Sequence, residues 1–155
     1  MKRLLILSGK GGTGKTTTAA AFIHFSQTRA MADCDVDAPN LHLVAAPPVS
    51  PEISEFLGGE KAVIDPDKCV GCGICASHCR FNALEKEEGR YRVNEYACEG
   101  CGVCAYVCPQ KAVYLAEDVA GRKELYLGER IFSTAVLKMG RGNSGKLVTD
   151  VKMAM

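Results

Sequence analysis

The chain has 155 residues, 47% hydrophobic and 24% charged, with a formal net charge of +1; this balance excludes a disordered chain and gives no overall basic field, so no nucleic-acid partner is expected. No apolar run approaches the roughly 18 residues of a membrane-spanning helix, and after Lys2-Arg3 only Leu4 to Leu7 precede Ser8-Gly9, too short for a signal-peptide core. A cytoplasmic location is therefore expected, where nine cysteines point to metal or redox chemistry instead of structural disulfides.

Charge divides the sequence into three parts. Residues 1–59 carry five basic and five acidic groups, residues 60–118 seven and ten, and residues 119–155 seven and three. The acidic middle holds eight of the nine cysteines, and reads as a module inserted into, or following, a different fold. In chain order, Arg3 to Leu7 is a continuous apolar run of the kind found in a strand buried on both faces of a parallel sheet. A glycine-rich turn precedes a helix over Thr16 to Gln27, with Ala19, Ala20, Ile23 and Gln27 at helical spacing. Ala30-Met31-Ala32 with Cys34 is a second strand, giving a right-handed parallel crossover unit. Pro47, Pro48, Pro51 and Gly58-Gly59 then read as a linker. In the last part, Glu124 to Leu127 and Ile131 to Leu137 flank Gly128 as a hairpin, and Gly145 to Val148 leads into a short helix.

Gly9-Lys10-Gly11-Gly12-Thr13-Gly14-Lys15-Thr16 satisfies G-x-x-x-x-G-K-[ST] between the expected strand and helix. Glycines permit positive φ and close backbone approach, so the N–H groups of residues 9–17, Thr17 included, can form a nest for phosphates at the helix N-terminus. In this motif Lys15 reaches the β- and γ-phosphates and the Thr16 hydroxyl ligates Mg²⁺. The alternatives are a glycine turn that binds nothing and, for Lys10, a solvated loop lysine.

An internal repeat occupies the middle. Cys69 to Leu84 aligns with Cys98 to Val113 at an offset of 29, each copy reading C-x2-C-x2-C-x3-C. Three close cysteines grasp three corners of a 4Fe-4S cubane while the fourth points to the other cluster. The expected sets are therefore Cys69, Cys72, Cys75 and Cys108 for one cluster and Cys98, Cys101, Cys104 and Cys79 for the other. Gly71, Gly73, Gly100 and Gly102 let the loops wrap closely, and Gly89 to Asn94 reads as part of a hairpin. Zinc is the competing metal, but four-thiolate zinc sites come as two knuckles with a longer spacer. Arg80 stands where the second copy has Pro109, His78 reads as a surface residue, and Cys34 as a small core residue.

The loop Gly9-Lys10-Gly11-Gly12-Thr13-Gly14-Lys15-Thr16-Thr17, the segment Asp33-Cys34-Asp35-Val36-Asp37-Ala38-Pro39-Asn40-Leu41 and the two cysteine motifs, in this order, resemble the MinD superfamily of P-loop ATPases containing an inserted ferredoxin domain. That MinD/ParA class includes the nitrogenase iron protein and the Mrp-type iron-sulfur carriers. The resemblance implies an α/β fold: a partial P-loop parallel-sheet domain (deviant Walker A) over 1–59 and 119–155 with an α+β dicluster ferredoxin-like domain over 60–118. It implies that Lys10 reaches the partner's phosphates in an ATP-bound homodimer. It also implies that Asp35 holds Mg²⁺-bound water or orients the attacking water, supported by Asp37, so that Lys10, Lys15 and Asp35 form the catalytic set. The family continues into a Walker B strand that nothing after Val148 matches, so the chain reads as the N-terminal part of a longer protein or as one needing a partner chain, and hydrolysis by these residues alone is not expected. The function expected is ATP-coupled electron carriage through two 4Fe-4S clusters to an unidentified redox partner. The alternatives are ATP-dependent cluster assembly or delivery and a non-enzymatic redox or nucleotide sensor.

Overall fold

A computed structural model describes residues 3–45 and 48–155. Lys2, read with the N-terminal charge pair, and Pro47, read as part of a linker, lie outside the described residues. The elements are α1 (Lys15–Ser26), β1 (Ala30–Ala32), α2 (His42–Ala45), β2 (Glu52–Ile64), α3 (Ile74–Ser77), β3 (Leu84–Glu87), β4 (Arg90–Val93), α4 (Val103–Val107), β5 (Val113–Leu127), β6 (Ile131–Leu137) and α5 (Ser144–Met153). The chain divides into two compact units, one of residues 1–56, 121–139 and 143–155, the other of residues 57–120 and 140–142.

In the first unit β1 pairs in parallel with β6, Met31 opposite Phe132, and β6 pairs antiparallel with β5 from Gly121–Leu137 to Leu127–Ile131. The four-stranded order is β1-β6-β5-β2. Met31, Leu41 and Phe132 form a core against which Ala19, Ile23, Ala45 and Tyr126 pack. Leu147 and Val151, one helical turn apart on α5, are fully buried, which is the packing an amphipathic helix needs to hold its place.

Four expectations differ from the structure. Arg3 to Leu7 is not a strand, and Leu4, Leu5 and Leu7 are 66%, 71% and 79% exposed. An apolar run becomes a strand only where a neighbour takes its N–H and C=O groups, and among the described residues no strand of the sheet pairs with it. The strand-helix-strand crossover is therefore not formed; β1 finds its parallel partner in β6, some hundred residues on. Gly58-Gly59 does not break the chain either, because β2 runs straight through it from Glu52 to Ile64. Helix α1 sits one residue earlier than the spacing suggests, with Ala19 and Ile23 half-buried and Gln27 left as an exposed cap at φ 50°.

The second unit is built twice over. Asp65 N–H donates to Ala112 O at 2.7 Å, and Asn94 N–H, 29 positions on, donates to Ala83 O at 2.8 Å. Cys69 N–H reaches Asp65 O, and Cys98 N–H reaches Asn94 O. Gly71 and Gly100 have φ of 68° and 64°, Gly73 and Gly102 of 82° and 78°, and Asn82 and Lys111 of 51° and 48°. The repeat thus governs backbone conformation and includes residues ahead of each first cysteine, Asp65 and Asn94, directly after β2 and β4. The β3–β4 hairpin closes through Glu88 and Gly89, both at positive φ, the turn whose twist suits a two-residue connection.

Candidate functional site

The cysteine loops fold as they do because glycine stands where the backbone turns left-handed. A Cβ on Gly71 would fall 2.0 Å from Gly89 O, and one on Gly100 2.1 Å from Glu60 O. Each loop is therefore pressed against the backbone of the other half of the repeat, Gly71 against the β3–β4 turn and Gly100 against β2. Gly73 and Gly102, also left-handed, cap the N-termini of α3 and α4, which carry Cys75 and Cys104.

The outcome is two cavities. Cys69, Cys72, Cys75 and Cys108 line one, of about 340 Å³ with its open mouth, together with Ile64, Tyr91, Pro109 and Val113. Cys79, Cys98, Cys101 and Cys104 line the other, of about 360 Å³, with Ala62, Phe81, Val93 and Glu99. In each set one sulfur-bearing residue is buried, one exposed and two half-buried. Backbone amides face the sulfurs: Ala83 N–H lies 3.4 Å from Cys79 Sγ and Ala112 N–H 3.3 Å from Cys108 Sγ. Burial pushes the Cys75 thiol up, the Ala76 amide pulls it back, and the nearby Cys108, Cys69 and Cys72 sulfurs push it further up. Cys104 is raised by burial in the same way, with Cys98 and Cys101 adding to it. Among the described residues, no three His, Cys, Asp or Glu side chains converge at the spacing of a single metal ion. The donor set fits a four-thiolate cluster: four sulfurs around each cavity, with N–H groups directed at the fourth.

Cys34 lines neither cavity; it is half-buried, and burial raises its thiol, with Lys152 opposing and Asp33 adding to the effect. His78 is exposed, its ring nitrogen 2.9 Å from Ile74 O, and lines neither cavity.

The glycine-rich loop of residues 9–14 is exposed, with Gly12 at φ 73° and Gly14 at φ 83°, and open space where a Cβ on Gly9, Gly11, Gly12 or Gly14 would be. Thr13 Oγ1 donates back to Lys10 O at 3.3 Å. The first helical residues, Lys15 and Thr16, both reach the 33–41 segment: Lys15 Nζ lies 3.1 Å from Asp35 Oδ2, and Thr16 Oγ1 2.8 Å from Asn40 Oδ1. Thr17 and Asp37 are exposed. Sequence reasoning assigned no role to Asp33, which is buried and accepts three backbone N–H bonds, from Asp35, Asn40 and Leu41. Those bonds shape the loop that carries Asp35. A polar residue directly after an apolar strand was the available signal.

Arg141 was likewise not singled out. Its side chain is 5% exposed, 2.5 Å from Glu95 Oε2 and 3.0 Å from Asp118 Oδ2, and lies over the Tyr96 ring at 5.4 Å. Its Nε is close to Asp118 but not aligned for a hydrogen bond.

Residues 62–115 match the 4Fe-4S dicluster domain family. The chain is 35% identical over 95 residues to an uncharacterised protein of Methanocaldococcus jannaschii, covering 59% of this chain and 32% of that one. It is 37% identical over 67 residues to a ferredoxin of Pyrobaculum islandicum, covering 43% of this chain and 63% of that one. The chain therefore spans about a third of the first relative and less than two thirds of the second. The middle of the chain is an iron-sulfur domain of ferredoxin type. Among the described residues no helix is long and apolar enough to cross a membrane.

Proposed function

We propose that this chain is an ATP-binding iron-sulfur electron carrier, with Cys69, Cys72, Cys75 and Cys108 holding one 4Fe-4S cluster and Cys98, Cys101, Cys104 and Cys79 the other. The observation that carries this reading is the grouping of eight cysteines, four and four, around two cavities, each set drawing its fourth sulfur from the other half of the repeat. When bound, such clusters supply reversible one-electron chemistry. Ala83 and Ala112 direct N–H groups at the crossed sulfurs, which favours the more negatively charged state. Ile64, Val93 and Val113 keep water from the inner walls. The likeness to a ferredoxin supports electron carriage as the role.

The nucleotide half of the proposal rests on the motif of residues 9–16 and its setting. Gly9, Gly11, Gly12 and Gly14 leave open space for phosphates at the start of α1, with Thr13 exposed among them. Lys15 and Thr16 supply the ammonium and the hydroxyl for the terminal phosphates and Mg²⁺, and Asp35 the carboxylate beside them. Lys10, exposed on the loop, takes the role of reaching a second copy's phosphates. A partial P-loop domain is the architecture that goes with it, forming a homodimer in the ATP-bound state or joined by a partner chain that completes the ATPase fold.

Anaerobic iron and sulfide analysis with EPR on the reduced protein, with and without Mg-ATP, tests both halves. The expected result is about eight irons per chain and a nucleotide-dependent change in the cluster signals. Colourless, zinc-loaded protein would overturn the electron-carrier reading; signals indifferent to Mg-ATP would overturn the coupling.

A further inference from the structure

The two cysteine cavities are equal in burial, each set having one buried, one exposed and two half-buried members. They are not equal in charge. The offset of 29 sets Lys61 against Arg90 and Ala62 against Tyr91. The Lys61 ammonium donates to the carbonyl of Cys98, and the Ala62 N–H lies 3.5 Å from Cys98 Sγ. Neither bond is repeated at Cys69 by Arg90 or Tyr91 among the described residues; Arg90 is exposed, and the Tyr91 hydroxyl turns toward Gly73.

We infer that Lys61 makes the two sites unequal, so that the cluster held by Cys98, Cys101, Cys104 and Cys79 has the higher potential and takes the first electron. The inference rests on the two-cluster reading above. Each site accepts one electron from a one-electron reductant, with no bond made or broken, and the charge gained is negative. A half-buried ammonium on the peptide of a ligating cysteine favours that gain, and so does an additional N–H on its sulfur. Glu99 lines the same cavity, where the repeat has Val70 on the other side, and opposes the effect. It is exposed, so water and salt screen it more than they screen Lys61. Near the first cavity Lys68 is paired with Asp65 at 2.7 Å, and the two charges largely cancel.

The experiment is an anaerobic dithionite titration, followed by EPR, of the whole chain as wild type, Lys61→Met and Lys61→Arg. The wild type should be reduced in two one-electron steps whose equilibrium constants differ by about tenfold or more, 59 mV for such a couple. Lys61→Met should move the first step alone toward more negative potential, and Lys61→Arg should leave it in place. A single unresolved wave in the wild type overturns the inference. So do two unmoved steps in Lys61→Met, and so does loss of a cluster from both variants, which would make Lys61 a structural residue. Iron analysis of the wild type separates these failures from failure of the two-cluster reading itself, which would show as protein without iron.

Discussion

Lys15 Nζ lies 3.1 Å from Asp35 Oδ2, so the lysine that opens α1 directly after the glycine-rich loop is engaged by a carboxylate 20 positions further on. The two side chains are 37% and 36% exposed, and water screens a pair of that kind to at most about 1 kcal/mol. A triphosphate therefore has little to displace. Lys15→Ala should abolish ATP binding in calorimetry while iron content stays at its wild-type value. Asp35→Asn should tighten ATP binding in EDTA by no more than about fivefold, the equivalent of that pair, and weaken it in Mg²⁺, where Asp35 is proposed as a metal partner. An equal effect in both media would remove Asp35 from the Mg²⁺ role.

Gly71 and Gly100 carry the sharpest steric demand in the cysteine loops, since a Cβ on either would collide with the backbone oxygen of Gly89 or Glu60. Left-handed φ alone costs a non-glycine residue about 1–2 kcal/mol, and the collision adds to that. Gly71→Ala and Gly100→Ala should each lose more than half of the bound iron and unfold at lower temperature. Gly11→Ala, where nothing lies within 4 Å, should leave the iron unchanged. The comparison is made by iron analysis and thermal melting of the three variants.

The cysteine module was readable because it is written twice, and the offset of 29 that aligned the cysteines also holds for hydrogen bonds and φ angles of residues with no chemistry of their own, such as Asn82 and Lys111. Asp65 and Asn94 show how far it extends: each side chain accepts the N–H of the residue two positions on, Asp67 and Tyr96. The hairpins and α5 were readable from local signals. Arg3 to Leu7 was not, because an apolar run states what a strand would bury and not whether a neighbour is there to bury it. Gly58-Gly59 misled for the converse reason: glycine permits a break, while the strand pairing of β2 decides whether there is one. Lys61 and Arg141 could not be found from sequence, since their partners Cys98 and Glu95 are 37 and 46 positions away.

Arg141 ties residues 140–142 to the ferredoxin-type unit through Glu95, Asp118 and the Tyr96 ring. Glu95 is 58% exposed and contributes little, whereas Asp118 is 14% exposed and would be left without its cation. Removing one partner of such a buried pair typically costs about 3–5 kcal/mol; the exposed half and the unaligned Nε bring the expectation for Arg141→Ala to about 2–3 kcal/mol. Urea unfolding followed through the cluster absorbance measures it. Arg141→Lys should recover part of the loss, because a lysine keeps the charge and not the fork.

Cys34 is the one cysteine outside both cavities, and burial holds its thiol above the ordinary range despite Lys152 nearby. A raised thiol means that the folded chain keeps its proton where the unfolded chain has begun to lose it. Its contribution to stability is therefore complete at neutral pH, declines as pH rises past the unfolded thiol's value, and stops changing once the folded thiol has also ionised. The thiolate is the nucleophile, so iodoacetamide should label one thiol per cluster-loaded chain, slowly at neutral pH and faster as pH rises beyond the usual thiol range. Cys34→Ser should abolish that labelling, keep the full iron content and flatten the alkaline decline in melting temperature. Loss of iron in Cys34→Ser would instead make Cys34 a partner of the clusters, and unchanged labelling would place the reactive thiol among the other eight.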